Sequence, residues 1–153
     1  MSFVATPEQD KALSKGKIGL MSHPNSVFFS SICMGLPHYW DDTIPTAQTD
    51  SRSVKYNPEF YMKQSPDERI GLILHEVLHV AFMHTFRFEA LEPQFFPLKS
   101  CPENLHAEFK RLMRLFNMAA DYVINLIIID SGFKLPAGGL IDKQYAGMSV
   151  EQV

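Results

Sequence analysis

The string His75-Glu76-Val77-Leu78-His79 sets two imidazoles four residues apart, with a carboxylate directly after the first. On a helix each residue advances about 100°, so His79 lies about 40° around the axis from His75, and Glu76 about 100° from it. All three then share one face. Two imidazoles one turn apart can grip a single ion. Neutral imidazole suits zinc, whose catalytic sites take three protein ligands and keep a fourth position open. The expected cofactor is therefore one Zn2+ per chain, held in part by His75 and His79. Such an ion lowers the pKa of a water beside it to about 7 and polarises a carbonyl. Glu76, next to the pair without being a ligand, is the expected general base. The alternative is two histidines satisfied inside a core beside a partly exposed glutamate. It has to explain three ionisable groups on one face of an otherwise apolar helix, each costly to bury alone.

A third ligand must come from elsewhere, and geometry ranks the candidates. His84 is near in sequence, but on an unbroken helix it faces about 140° from His79 and about 180° from His75. A metzincin breaks its helix at a glycine to turn a third histidine back; here that position is Phe82, and residues 80–87 hold no helix breaker. His84 thus reads as a structural or supporting residue. Asp121 is the stronger candidate. Asn117, Asp121 and Asn125 recur every four residues along an otherwise apolar half-helix, and Ala119 and Ala120 let another helix approach closely. A carboxylate buried there needs a cation, and the two asparagines could orient the ligands. The same stripe would also serve as a hydrogen-bonded helix contact. Asp142 and Tyr145 are a further option: Asp142-x-x-Tyr145-x-Gly147 is similar to the aspzincin pattern, in which a downstream Asp is the third ligand, but it lacks the preceding Gly-Thr. Tyr145 could donate to the oxyanion of a tetrahedral intermediate, or be a plain loop tyrosine.

Two long helices have to position these groups. Ser65-Pro66-Asp67-Glu68 is a capping box with proline at the first helical position. The helix it opens is expected to run to about Phe88, and its apolar residues point nearly all round the axis, as in a core helix. A second box, Ser100-Cys101-Pro102-Glu103, opens a helix expected to reach about Asp130, with Gly132 beyond it. Residues 89–99 between them form a Pro- and aromatic-rich loop. Upstream, residues 7–40 read as helical with interruptions: Gly16 and Gly19 weaken the first helix, His23-Pro24-Asn25 stops it, and residues 27–36 form a second apolar element. Residues 46–50 and 53–56 flank Asp50-Ser51-Arg52 as a short β-hairpin closed by Asn57-Pro58.

Composition narrows the setting. A chain of 153 residues with 46% hydrophobic and 20% charged residues is expected to be one globular domain spanning 1–153. A net charge of −3 with scattered Lys and Arg disfavours a nucleic-acid surface. Cys33 and Cys101, far apart and outside any C-x-x-C pair, disfavour a disulfide framework and a cysteine zinc site. The N-terminus shows no signal-peptide pattern, and purely apolar runs such as 126–129 are too short to span a bilayer. A soluble cytoplasmic protein is expected, without nucleic-acid or membrane partners.

Further motifs run in order along the chain: Thr46-Ala47-x-Thr49-Asp50, Tyr56-Asn57-Pro58-Glu59-Phe60, the H-E-x-x-H string with Val80-Ala81, Asn117-x-Ala119-Ala120-Asp121-Tyr122-x-Ile124-Asn125, Leu135-Pro136, and Asp142-x-x-Tyr145-x-Gly147-Met148-Ser149. Together they resemble a family of HExxH zinc metallopeptidase domains of bacteria and phages, often joined to a von Willebrand factor A-like domain. The resemblance covers most of the chain. It implies an α+β, mainly helical zincin-like domain, with a small sheet against the HExxH helix and a second helix bringing the third ligand. It also implies that residues 46–56 supply the edge beside the cleft, where an extended peptide adds as a strand. Phe116 stands where the family often has Trp, and no second domain follows, so the chain is either a stand-alone version or a piece ending after the catalytic unit. The leading expectation is a zinc metallopeptidase acting on a peptide or protein, with His75, His79 and Asp121 as ligands and Glu76 as base. The competing one is a catalytically silent, zinc-stabilised module that binds a partner protein. A purely structural site has no need of the glutamate and usually closes its fourth position.

Overall fold

The first helix begins where its sequence says it should. In the computed structural model, which describes residues 3–84, 87 and 103–153, Thr6 accepts from Gln9 N–H at 3.2 Å while Gln9 Oε1 accepts from Thr6 N–H at 2.9 Å. This reciprocal cap, with Pro7 following, starts α1 (Pro7–Met21). Gly16 does not interrupt the helix. A Cβ there would sit 2.4 Å from Tyr61 Oη and 2.8 Å from Ile73 Cδ1, so the missing side chain is what lets neighbouring elements close on α1. After α2 (Val27–Gly35), the chain departs from the expected helical reading of 7–40. His38–Trp40 is a strand, β1.

β1 lies parallel to β3 (Val54–Tyr56), and β2 (Ala47–Thr49) lies antiparallel on the other side of β3. The β2–β3 pair is the expected hairpin, with Ala47 opposite Tyr56 and Thr49 opposite Val54. β3 is central and turns Val54 and Tyr56 fully inward, while β2 is the outer strand among the described residues. Asn57-Pro58 closes the hairpin and also opens α3 (Pro58–Lys63), where Asn57 Oδ1 accepts from Phe60 N–H at 2.8 Å.

α4 (Pro66–Ala81) starts at Ser65, whose hydroxyl accepts from Glu68 N–H at 3.3 Å. It packs against α1, α2, β2 and the last long helix, α5 (Glu103–Asp130). Its Ile73, Leu74, Val77 and Leu78 share one core cluster with Leu20, Tyr56, Tyr61, Ile124 and Ile128. Each such side chain contributes about 1.5–3 kcal/mol on burial. The helix does not continue to Phe88 as expected. It ends at Ala81, and Met83 adopts φ 54°, a left-handed conformation. The expected cap at Ser100 and the loop 89–99 lie outside the described residues.

α5 ends in a Schellman turn. Gly132 takes φ 85°, Phe133 N–H bonds Ile128 C=O at 3.0 Å, and Gly132 N–H bonds Ile129 C=O at 2.9 Å. The turn sends the chain back across α4, where Lys134 C=O passes so close to Gly71 that a Cβ would lie 1.7 Å away. From there residues 135–140 run beside the H-E-x-x-H helix, and a 3-10 turn (Lys143–Tyr145) follows. By length and composition Ala107–Asp130 is apolar enough to cross a membrane, which short-run counting did not anticipate. One side of it nevertheless buries Ala120, Ile124, Asn125 and Ile128 inside the protein. The result is an α+β, mainly helical fold with a small mixed sheet against α4.

Candidate metal centre

One turn of α4 and one turn of α5 meet at three side chains. His75 Nε2 and His79 Nε2 are 3.1 Å apart, and Asp121 Oδ1 lies 3.2 Å from each. Two ligands of a tetrahedral zinc, bonded at about 2.0–2.1 Å, stand about 3.3–3.4 Å from one another. The three atoms already hold nearly that spacing. Among the described residues this is the group of His, Cys, Asp and Glu able to hold a metal ion.

The surrounding hydrogen bonds test whether a cation fits. Asn125 is buried; its Nδ2 donates to Leu140 C=O at 2.9 Å, so its Oδ1 is the atom facing His75 Nδ1, also at 2.9 Å. His75 therefore carries a proton on Nδ1, and when the ring is neutral it turns the lone pair of Nε2 toward His79 and Asp121. A carboxylate oxygen and an imidazole lone pair at van der Waals range repel unless something positive stands between them. The titration tendencies agree. Burial alone would push His75 down, but the Asp121 hydrogen bond and the charges of Glu76 and Asp121 reverse this and raise it. Burial likewise pushes Asp121 up, yet bonds to His75 and His79 hold it well below the usual carboxylate range. The centre favours positive charge, and the donor set fits a divalent ion.

Glu76 lies one residue from His75 on the wall of the same cleft and is only 5% exposed. Burial raises its pKa, against the pull of His75 and His79 and with the push of Asp121. The cleft measures about 890 Å3. β2 and its flanks (Thr46, Gln48, Asp50) line it, as do residues 135–140, Leu72, Asn117 and the three candidate ligands.

The other sequence candidates fall differently. Asn117 lines the cleft. Asp142 is spent on capping the 3-10 turn, accepting from Gln144 N–H at 3.0 Å and Gln144 Nε2 at 2.8 Å. Tyr145 packs its ring 5.1 Å from that of Tyr122 and lines a second, smaller cavity rather than the cleft. His84 does not face away as an unbroken helix required. The left-handed turn at Met83 brings it back, and its Nδ1 comes to 3.1 Å from His79 Nδ1. Burial, with the charge of His79 next, pushes its pKa down to about 4. Sequence spacing missed this contact because no glycine marks the turn. It also missed Leu140, whose carbonyl holds Asn125 in place, since a backbone acceptor leaves no signature in the side-chain pattern.

No curated protein and no solved structure matches this chain. A family model does, over residues 12–153, a span that takes in α4, α5, the sheet and the 135–140 loop. The match implies a metal, and the His75–His79–Asp121 cluster is where the fold offers a place for one. On that evidence the chain belongs to the family described as "Putative metallopeptidase domain".

Proposed function

We propose that the protein is a zinc-dependent metallopeptidase in which His75, His79 and Asp121 hold the ion and Glu76 is the general base. The observation that carries this reading is the convergence of three donor atoms from two helices, within 4.8 Å of one another, in a large open cleft. Two imidazoles and one carboxylate at tetrahedral spacing favour zinc over the hard, oxygen-preferring cations. A zinc ion held there would act as a Lewis acid on a carbonyl and lower the pKa of a water.

The protein's own groups do the rest. Glu76, with its raised pKa, is a better base than an exposed glutamate and can return the proton to a leaving amine. Asn125 keeps His75 in the tautomer that leaves Nε2 available. β2 is the outer strand of the sheet among the described residues and lines the cleft, so a substrate peptide in extended form can pair with its edge. Leu72, Phe60, Leu135 and Leu140 give the cleft apolar surface for its side chains.

The test has two arms. Bound metal, measured by mass spectrometry, should be one zinc per chain in the wild type and fall sharply in His75→Ala and Asp121→Ala; stoichiometric zinc in both variants ends the assignment of ligands. A peptide library should be cut by the zinc-loaded protein and spared after chelation. Glu76→Gln should keep the zinc while lowering kcat by about 10²–10⁴-fold. Cutting by Glu76→Gln at the wild-type rate removes Glu76 from its role. A library left intact by the zinc-loaded wild type favours the partner-binding module.

A further inference from the structure

His79 is flanked on both sides by nitrogen. Its Nε2 faces His75 and Asp121, and its Nδ1 faces Nδ1 of His84 at 3.1 Å. Two facing imidazole nitrogens at that distance share one proton, so the identity of its owner sets the tautomer of both rings. With the proton on His79 Nδ1, Nε2 of His79 offers a lone pair to the cluster, and His84 must carry its own proton on Nε2. With the proton on His84 Nδ1, Nε2 of His79 carries a hydrogen into the cluster and cannot bind a cation.

The surroundings of His84 hold its ring against His79. His84 is 4% exposed, its ring lies nearly parallel to Phe82 at 5.7 Å, and it meets Phe116 edge-on at 6.2 Å. These contacts fix the ring plane, and the left-handed backbone at Met83 sets the direction from which Nδ1 approaches. Its Nε2 has no hydrogen-bond partner among the described residues. A buried nitrogen without a partner is costly, and a merely space-filling residue such as phenylalanine would avoid that cost. His84 also lines the second cavity, of about 320 Å3, together with Arg87, Asp130, Tyr145 and Ser149. That volume has room for an ordered water to accept from Nε2–H.

We propose that His84 is a positioning residue: it accepts the Nδ1–H of His79 and so holds Nε2 of His79 ready for a cation, as Asn125 does for His75. The inference rests on the metal centre proposed above. In it the two ligands of α4 are oriented from opposite sides, one by a side-chain amide on α5 and the other by an imidazole returned across a helix break.

Zinc affinity of the full chain, by competition with a chromophoric chelator at pH 7, tests it without reference to turnover. His84→Phe keeps the ring and deletes the acceptor, and should weaken zinc by about 10–100-fold. His84→Asn restores an acceptor near the position of Nδ1 and should recover most of that loss. Wild-type affinity in His84→Phe overturns the inference, as does a His84→Asn variant no better than His84→Phe. Should His84→Phe fail to fold, imidazole 15N spectra of the zinc-loaded wild type decide. Protons on His79 Nδ1 and His84 Nε2 support the proposal; a proton on His84 Nδ1 refutes it. A wild type that binds no zinc brings down the metal centre and this inference together, whereas wild-type binding with an indifferent His84 brings down the inference alone.

Discussion

Asn125 shows how much of the centre depends on groups that touch no metal. Its amide donates to Leu140 C=O and its oxygen accepts from His75, so one side chain joins the cleft wall at 135–140 to a candidate ligand. Asn125→Ala deletes both bonds and leaves the Leu140 carbonyl and His75 Nδ1 without partners. Zinc affinity should drop by about 10–100-fold, the usual cost of removing a group that orients a ligand. Chelator competition measures it, and unchanged affinity would mean that α4 alone fixes His75. At this scale the sequence was informative where side chains repeat at helical spacing. The stripe Asn117–Asp121–Asn125 is visible because three polar residues interrupt an apolar helix. The His79–His84 contact was hidden because Met83 takes a positive φ without being glycine, and only tertiary packing can impose that on such a residue.

The elements impose their own demands, and Gly71 and His38 report on two of them. α4 can lie under the returning chain only because Gly71 has no side chain where Lys134 C=O crosses. Gly71→Ala would ordinarily favour a helix, by about 1 kcal/mol. Here the clash with a backbone carbonyl should reverse the sign and destabilise by about 1–3 kcal/mol or more, measured by urea denaturation. His38 ties β1 to its neighbours: its ring bonds Cys33 C=O through Nε2 at 2.9 Å and Tyr56 Oη through Nδ1 at 3.1 Å. The carbonyl can only accept, so the proton sits on Nε2, and Nδ1 must remain free to accept from the tyrosine. Burial lowers the His38 pKa below the ordinary value of 6.5, against the Cys33 hydrogen bond and with the charge of Lys17. The unfolded chain thus takes up the proton first as pH falls. The contribution of His38 is complete above about pH 6.5 and is lost below it, toward its lower folded value. The stability gap between wild type and His38→Phe should therefore narrow from pH 7 to pH 5.5, and a gap that widens would mean that folding raises the His38 pKa instead of lowering it. β1 itself was not legible in sequence. Three residues give no alternation to read, and their partner β3 is parallel and reached only through the β2 hairpin. The hairpin was legible because its partners are adjacent and its turn residues lie between them.

For the whole molecule, the three candidate ligands sit where α4 and α5 touch, so ligand binding and packing of the two longest helices are one equilibrium. The folded state brings His75, His79 and Asp121 to mutual distances near 3.1–3.2 Å. In the unfolded chain, 41 residues separate His79 from Asp121, and no comparable site exists there. Zinc at about 100 times its Kd should then stabilise the fold by about 2.7 kcal/mol. For a chain of this size that corresponds to a rise in Tm of about 5–10 °C. Chelation should remove the rise completely, and it should be absent in Asp121→Ala at any zinc concentration that leaves the unfolded state unaffected. Without metal, the bonds from His75 and His79 that hold the Asp121 pKa down also favour the fold, so Asp121→Ala should melt at or somewhat below the metal-free wild type. A stabilisation by zinc that survives in Asp121→Ala would place the ion on α4 alone and detach it from the helix contact. Loss of the zinc-dependent rise in Asp121→Ala, read against that variant's own metal-free Tm, is the signature of an ion that bridges the two helices.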